Sequence, residues 1–346
     1  IKSKKNTYQN KQSNIEFISN LINENKDYVP ATIARQIITE KKKIFSLSGI
    51  SKKKTIHCNE NGYYSIYESD RYGFNNPDKE WDKKNIDYFL VGDSFVHGAC
   101  VNEIDTISGN IRKIDKKNVV LNVGIGGNGP LIEYAALREY LPLVKTKKVL
   151  WFYYEENDLL ELSRELKKEI LVNYLNDKNF SQNLQFKQKV IDKELQLLSS
   201  NLKHLGQQNK ENYLETEILN FIKLFNLRKL TIERFFFKQP TNEFELILKK
   251  SKHLVENNNA KLYFIYLPEH SRYLSKFKID DNYRKYDEIM KIVTKLNIPI
   301  IDIHKEVFET HVDPLSFFPS RAHGHYTELG YKIITEKVIE KIKEIE

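Results

Sequence analysis

The chain has 346 residues, a net charge of +8 and 40% hydrophobic residues, enough for one large domain with a sizeable core. Its basic runs, Lys2-Ser3-Lys4-Lys5 and Lys52-Lys53-Lys54, carry no interleaved aromatics and no nucleic-acid motif, so the charge reads as solvated surface and excludes a nucleic-acid partner. No apolar stretch reaches the length of a membrane span, and the two cysteines, Cys58 and Cys100, make neither a disulfide framework nor a metal site.

Residues 1–50 are polar, with helical patches around Ile15–Ile22 and Ala31–Phe45. Residues 55–80 read as turns and short strands, so 1–84 is expected to be an irregular and helical section packing on the core. Five apolar runs follow: Tyr88–Val91, Val119–Val123, Lys148–Tyr154, Leu262–Leu267 and Pro299–Ile303. They lack clean alternation, as strands covered on both faces do. Helical patterns lie between them, at Phe95–Lys113, Leu131–Tyr140, Phe244–Glu256 and Tyr283–Leu296, and a last helix spans Thr327–Ile345. This alternation predicts a parallel sheet of about five strands between helices, over residues 85–346. Residues 159–243 break the pattern with Leu-, Lys- and Glu-rich stretches (Leu160–Tyr174, Lys187–Leu202, Tyr213–Phe237) and are expected to form a helical insertion. Trp151, Tyr153 and Tyr154 read as core strand residues, and Cys100 as a small core residue.

Gly92-Asp93-Ser94 closes the first strand and opens a helix at Phe95-Val96-His97, a turn of the kind that displays a nucleophilic hydroxyl. Gly124-Ile125-Gly126-Gly127-Asn128-Gly129 follows the second strand, Glu155-Glu156-Asn157-Asp158 the third, and Gly324-His325-Tyr326 precedes the last helix. In a parallel sheet the first three of these pieces gather at the carboxyl ends of the strands. Asp93 and Asp158 are expected to brace turns, and His97 to face solvent.

In order and in residues, these four pieces resemble the blocks of the SGNH (GDSL-type) hydrolase family. The resemblance covers most of 85–160 and 298–346. It implies a three-layer α/β/α flavodoxin-like fold and a serine esterase or O-acyltransferase. Carried over, Ser94 is the nucleophile, His325 its base, and the Ser94 N–H, the Gly127 N–H (Gly126 as neighbour) and the Asn157 amide form the oxyanion hole. The family's acid stands two or three residues before the histidine, where this chain has His323 and Ala322. Asp313 is the substitute on the same loop; the other option is a Ser–His dyad oriented by a backbone carbonyl. The resemblance further implies a small-molecule or glycan ester as substrate, with acetylated surface carbohydrate as the expectation and no cofactor or metal. The chain opens on Ile1, which leaves room for a removed signal or anchor and a bacterial cell-envelope location.

Three other readings compete. A carbohydrate-binding or assembly protein that kept the fold without catalysis would explain the missing acid. Gly124-x-Gly126-x-x-Gly129 matches a dinucleotide fingerprint, although Pro130 follows at once and the acid expected about 20 residues on is absent. His323-x-His325, with His304, His311 and Asp313 nearby in sequence, offers metal ligands without a standard spacing.

Overall fold

The computed structural model describes residues 18, 20–22, 24–39, 43–208, 239–274 and 285–346. Its main sheet forms where the apolar runs predict it. Strands β6 (Asn85–Val91), β7 (Val120–Asn122), β8 (Lys145–Tyr154), β9 (Lys261–Leu267) and β10 (Ile300–Asp302) stand in the order β10-β9-β8-β6-β7, and every pair is parallel. In chain order this is 2-1-3-4-5, the flavodoxin-like order, and the reversal between β6 and β8 is where such sheets open a ligand crevice.

Both sheet faces are buried, which explains the unbroken apolar runs. Phe89 and Val91 of β6 join Val149, Trp151 and Tyr153 of β8 on one face. Helices α3 (Pro130–Tyr140), α7 (Thr241–Asn257) and α8 (Tyr286–Lys295) cover that face with Ala135, Leu137, Phe244, Ile247 and Ile289. Tyr88, Leu90, Leu150, Phe152 and Tyr154 point the other way, against Ile107 and Ile111 of α2 (Ile107–Ile114) and Tyr331, Ile334 and Val338 of α9 (Glu328–Ile345). The result is three layers, helix on sheet on helix. Helices α4 (Asp158–Glu165), α5 (Glu169–Asn176) and α6 (Gln188–Gln208) run between β8 and α7. The helical stretch expected over Tyr213–Phe237 lies outside the described residues, as does half of the Ile15–Ile22 patch, whose described residues are helical.

Three expectations are corrected. Phe95–Lys113 is not one helix: α1 (Ser94–His97) ends at Gly98, whose φ of 81° is left-handed. A Cβ there would sit 2.1 Å from Thr106 Cγ2, so the chain breaks and restarts at α2, capped by Thr106 Oγ1 accepting from Gly109 N–H. The Ala31–Phe45 stretch forms an antiparallel hairpin of β2 (Arg35–Ile38) and β3 (Lys43–Ser46) rather than a helix. The remote Gln182 side chain binds both backbone groups of Phe45, at 2.8 and 3.0 Å, a tertiary contact that overrides local periodicity. Finally, Cys58 and Cys100 are joined in a disulfide across 42 residues.

That disulfide links the N-terminal section to the main sheet. Strands β1 (Tyr28–Pro30), β4 (Lys54–Ile56) and β5 (Ile66–Glu68) form a small sheet, from which Tyr67 reaches His97 of α1. Cys58 and Glu60 lie on the connection from β4 to β5.

Candidate active site

Ser94 opens α1 and is 6% exposed. The preceding Asp93 braces the turn as expected, its Oδ1 accepting from Phe95 N–H at 2.9 Å. Its Oδ2 accepts both from the Ser94 hydroxyl and from Asn157 Nδ2, each at 3.4 Å. One carboxylate oxygen therefore joins the end of β6 to the end of β8 at the topological reversal. Asp158 holds the second turn, accepting from Tyr154 N–H at 3.0 Å.

The glycine loop is tied to α1 from below. Asn122 Nδ2 donates to Val96 O at 2.5 Å while its Oδ1 accepts from Gly124 N–H at 2.8 Å. His97 does not face solvent; it is 1% exposed. Its Nδ1 accepts from Gly126 N–H at 3.2 Å, and Nε2 meets Tyr67 Oη of β5 at 2.8 Å. Burial first, then the neighbouring His325, lower its pKa to about 3, so the ring stays neutral. Gly126 therefore spends its N–H on His97, while the adjacent Gly127 takes the left-handed backbone at φ 79°.

His325 is fully buried. Its ring lies 4.9 Å from that of Phe95, the residue after Ser94, and its Nδ1 is 3.9 Å from Cys100 Sγ. The expected acid, Asp313, is elsewhere: Arg321 holds its carboxylate at 2.5 Å. Glu60 stands in its place. Glu60 Oε2 accepts from His325 N–H at 2.7 Å and lies 3.1 Å from Nδ1. Burial alone would raise the Glu60 carboxyl, but the charge and hydrogen bonds of His325 bring it below the ordinary value of 4.5, so it is an ionised acceptor. Glu60 orients the imidazole with its Nδ1–H toward the carboxylate. A dyad with a carbonyl orienter is therefore not what the structure holds. Sequence reasoning missed Glu60 because it sits 265 residues from His325, on an irregular connection with no motif.

The competing readings lose their geometry. The N-terminus of α3, where a dinucleotide phosphate would sit, is already filled by the Glu165 carboxyl group, which accepts from Gly129 N–H at 2.6 Å and Leu131 N–H at 2.9 Å. The histidines of the proposed metal cluster disperse. His323 meets Glu156 at 2.9 Å, His304 meets Tyr273 Oη at 2.8 Å, and His311 accepts from Asp313 N–H at 3.1 Å.

No family model matches the sequence, and no curated protein matches it. Solved structures do. An acetyl xylan esterase is 12% identical, with 74% of this chain and 100% of that one covered at a TM-score of 0.43. A member of the lipolytic protein G-D-S-L family from Veillonella parvula is 12% identical over 74% and 97% of the two chains, TM-score 0.41. The psychrotrophic esterase EstA from Pseudoalteromonas sp. is 10% identical over 76% and 98%, TM-score 0.40. These are resemblances of fold.

Proposed function

We propose that the chain is a serine ester hydrolase or O-acyltransferase of SGNH type, in which the N-terminal section completes the site of the 85–346 domain by supplying Glu60. The observation that carries this reading is the bonding of Glu60 Oε2 to both the backbone N–H and Nδ1 of His325. It fixes the tautomer in which Nε2 has the lone pair a general base needs. The rival binding-protein reading drew on the missing acid, and Glu60 removes that ground.

In this scheme Nε2 of His325 takes the Ser94 proton as Oγ attacks the acyl carbonyl. The new C–O bond forms and the carbonyl electron pair moves onto the oxygen, held by Ser94 N–H, Gly127 N–H and Asn157 Nδ2. Collapse expels the alcohol, protonated by His325, and leaves an acyl-Ser94. Water or an acceptor hydroxyl, deprotonated by His325, resolves it. The Ser94 and Asn157 hydrogen bonds to Asp93 hold nucleophile and amide side by side, and in the scheme the Ser94 hydroxyl turns from Asp93 to Nε2 of His325 before attack.

For substrate we propose a short acyl ester, acetyl on a carbohydrate, following the family resemblance alone. A structural disulfide suits an oxidising compartment such as the cell envelope. The test is turnover of para-nitrophenyl acetate together with mass-spectrometric mapping of a phosphonate adduct. The reading expects the adduct on Ser94 and no turnover by Ser94→Ala; an adduct on another residue, or full activity in the variant, overturns it.

A further inference from the structure

We propose that, when the Cys58–Cys100 disulfide is reduced, Cys100, Glu60 and His325 form a site for a thiophilic divalent cation of the zinc class, and that occupancy disables His325 as a base. The metal site stands on its own geometry. Only its effect on activity rests on the hydrolase reading.

Three donor atoms already converge. Glu60 Oε2 lies 3.1 Å and Cys100 Sγ 3.9 Å from His325 Nδ1, and all three atoms fall within 4.8 Å of one another. Zinc bonds of about 2.3 Å to sulfur and about 2.0 Å to nitrogen or oxygen place tetrahedral ligands roughly 3.3–3.6 Å apart, so small shifts seat an ion between them. The cysteine and histidine are buried, and a mixed set of thiolate, imidazole and carboxylate suits zinc better than magnesium or calcium.

The chemistry closes without a missing reactant. A dithiol passes two electrons and two protons to the disulfide, becoming a cyclic disulfide and leaving two thiols. Cation binding then releases the Cys100 thiol proton, while Cys58 stays a thiol. A cation on Nδ1 takes the lone pair there and fixes the ring proton on Nε2. His325 in that form cannot accept the Ser94 proton, and Glu60 is drawn from its positioning bond to the ion.

The experiment uses the whole chain, reduced and freed of reductant under anaerobic conditions, then titrated with zinc against a chromophoric chelator and with cobalt(II) by absorption. The proposal expects one equivalent bound by the reduced chain, a thiolate-to-cobalt charge-transfer band, loss of that band in Cys100→Ser, and at least about tenfold weaker binding in Glu60→Gln. No stoichiometric binding, or a cobalt spectrum unchanged by Cys100→Ser, overturns it. Should the reduced chain unfold, Cys58→Ser leaves Cys100 as a thiol without reductant and keeps three ligands, and the same outcomes apply. Phosphonate labelling of the oxidised, zinc-free protein reports separately on Ser94: zinc binding without labelling refutes the hydrolase reading and leaves the metal site. Labelling that persists in the zinc-loaded chain overturns the claimed effect on His325.

Discussion

His325 gives its backbone N–H and its Nδ1–H to one oxygen of Glu60, at 2.7 and 3.1 Å. The two bonds set both the position of the residue and the rotation of its ring. If that is Glu60's role, Glu60→Gln leaves the fold but can present an amide N–H to Nδ1 and favour the wrong tautomer. The expected loss is on the order of 10⁴ in kcat, with KM and the thermal unfolding midpoint little changed. Asp313→Asn, by contrast, breaks only a pair with Arg321 that is half exposed, and should leave kcat near wild type. Steady-state kinetics on para-nitrophenyl acetate distinguish the two; an inactive Asp313→Asn with a normal Glu60→Gln would reverse the assignment.

Asn157 and Ser94 share Asp93 Oδ2 as acceptor. In the proposed scheme Asn157→Ala removes one oxyanion donor and should lower kcat by about 10²–10³. Phosphonate labelling of Ser94 should slow in parallel, since that adduct mimics the same tetrahedral oxygen. A variant that lost turnover while labelling at the wild-type rate would assign Asn157 to turn structure instead.

The disulfide closes a loop of 42 residues that carries Glu60. Loop-closure entropy for that length is worth about 4 kcal/mol. The double variant Cys58→Ala/Cys100→Ala should therefore unfold at markedly lower denaturant. Its kcat should fall as well, because the Glu60 connection is freed from the end of α1. Chemical denaturation and kinetics on the same sample measure both effects.

Burial raises the Glu165 carboxyl from 4.5 to about 8, against the opposing pull of the α3 N–H groups that it accepts from. The folded chain then keeps a proton that the unfolded chain gives up above 4.5. The stability this contributes is complete below that value and is lost as pH rises toward 8. Glu133, raised by burial and by the charges of Asp93 and Glu165, and Asp158, raised by burial and by Glu133 and Asp93, act in the same direction. The unfolding midpoint should fall between pH 5 and 8, and Glu165→Gln should flatten part of that slope. A midpoint that climbs over this range in wild type would contradict the assignment.

How much of this was legible in the chain follows from the range of each interaction. The five core strands are continuous apolar runs, because Phe89 and Leu90 of β6 face opposite helix layers and both must be apolar. Ser94, Gly127, Asn157 and His325 sit next to those strands or the last helix, so local order points to them. Glu60 escapes because only the folded N-terminal section brings it to His325. The pairing of Cys58 with Cys100 escapes for the same reason. His97 reads as exposed on a first helical turn, and is buried because Tyr67, thirty residues earlier, covers it. Glu60, the disulfide and the burial of His97 all lie where 1–84 meets the end of β6 and α1, an interface that no periodicity within either part encodes.

The turn before Ser94 offers a last test, of packing rather than chemistry. A Cβ on Gly92 would meet Val96 Cγ2 at 2.4 Å and Phe152 O at 3.2 Å. Gly92→Ala must therefore push α1 off β8 and move Ser94 away from Asn157, costing about 1–3 kcal/mol in overpacking and most of the activity. Val96→Ala removes the nearer obstacle and leaves the backbone oxygen of Phe152 in place. The double variant should recover part of the stability and part of kcat, with a coupling of about 1 kcal/mol or more between the two sites. Additive losses would mean that Gly92 is required for its backbone conformation, and that Val96 does not set the distance between the nucleophile turn and the sheet.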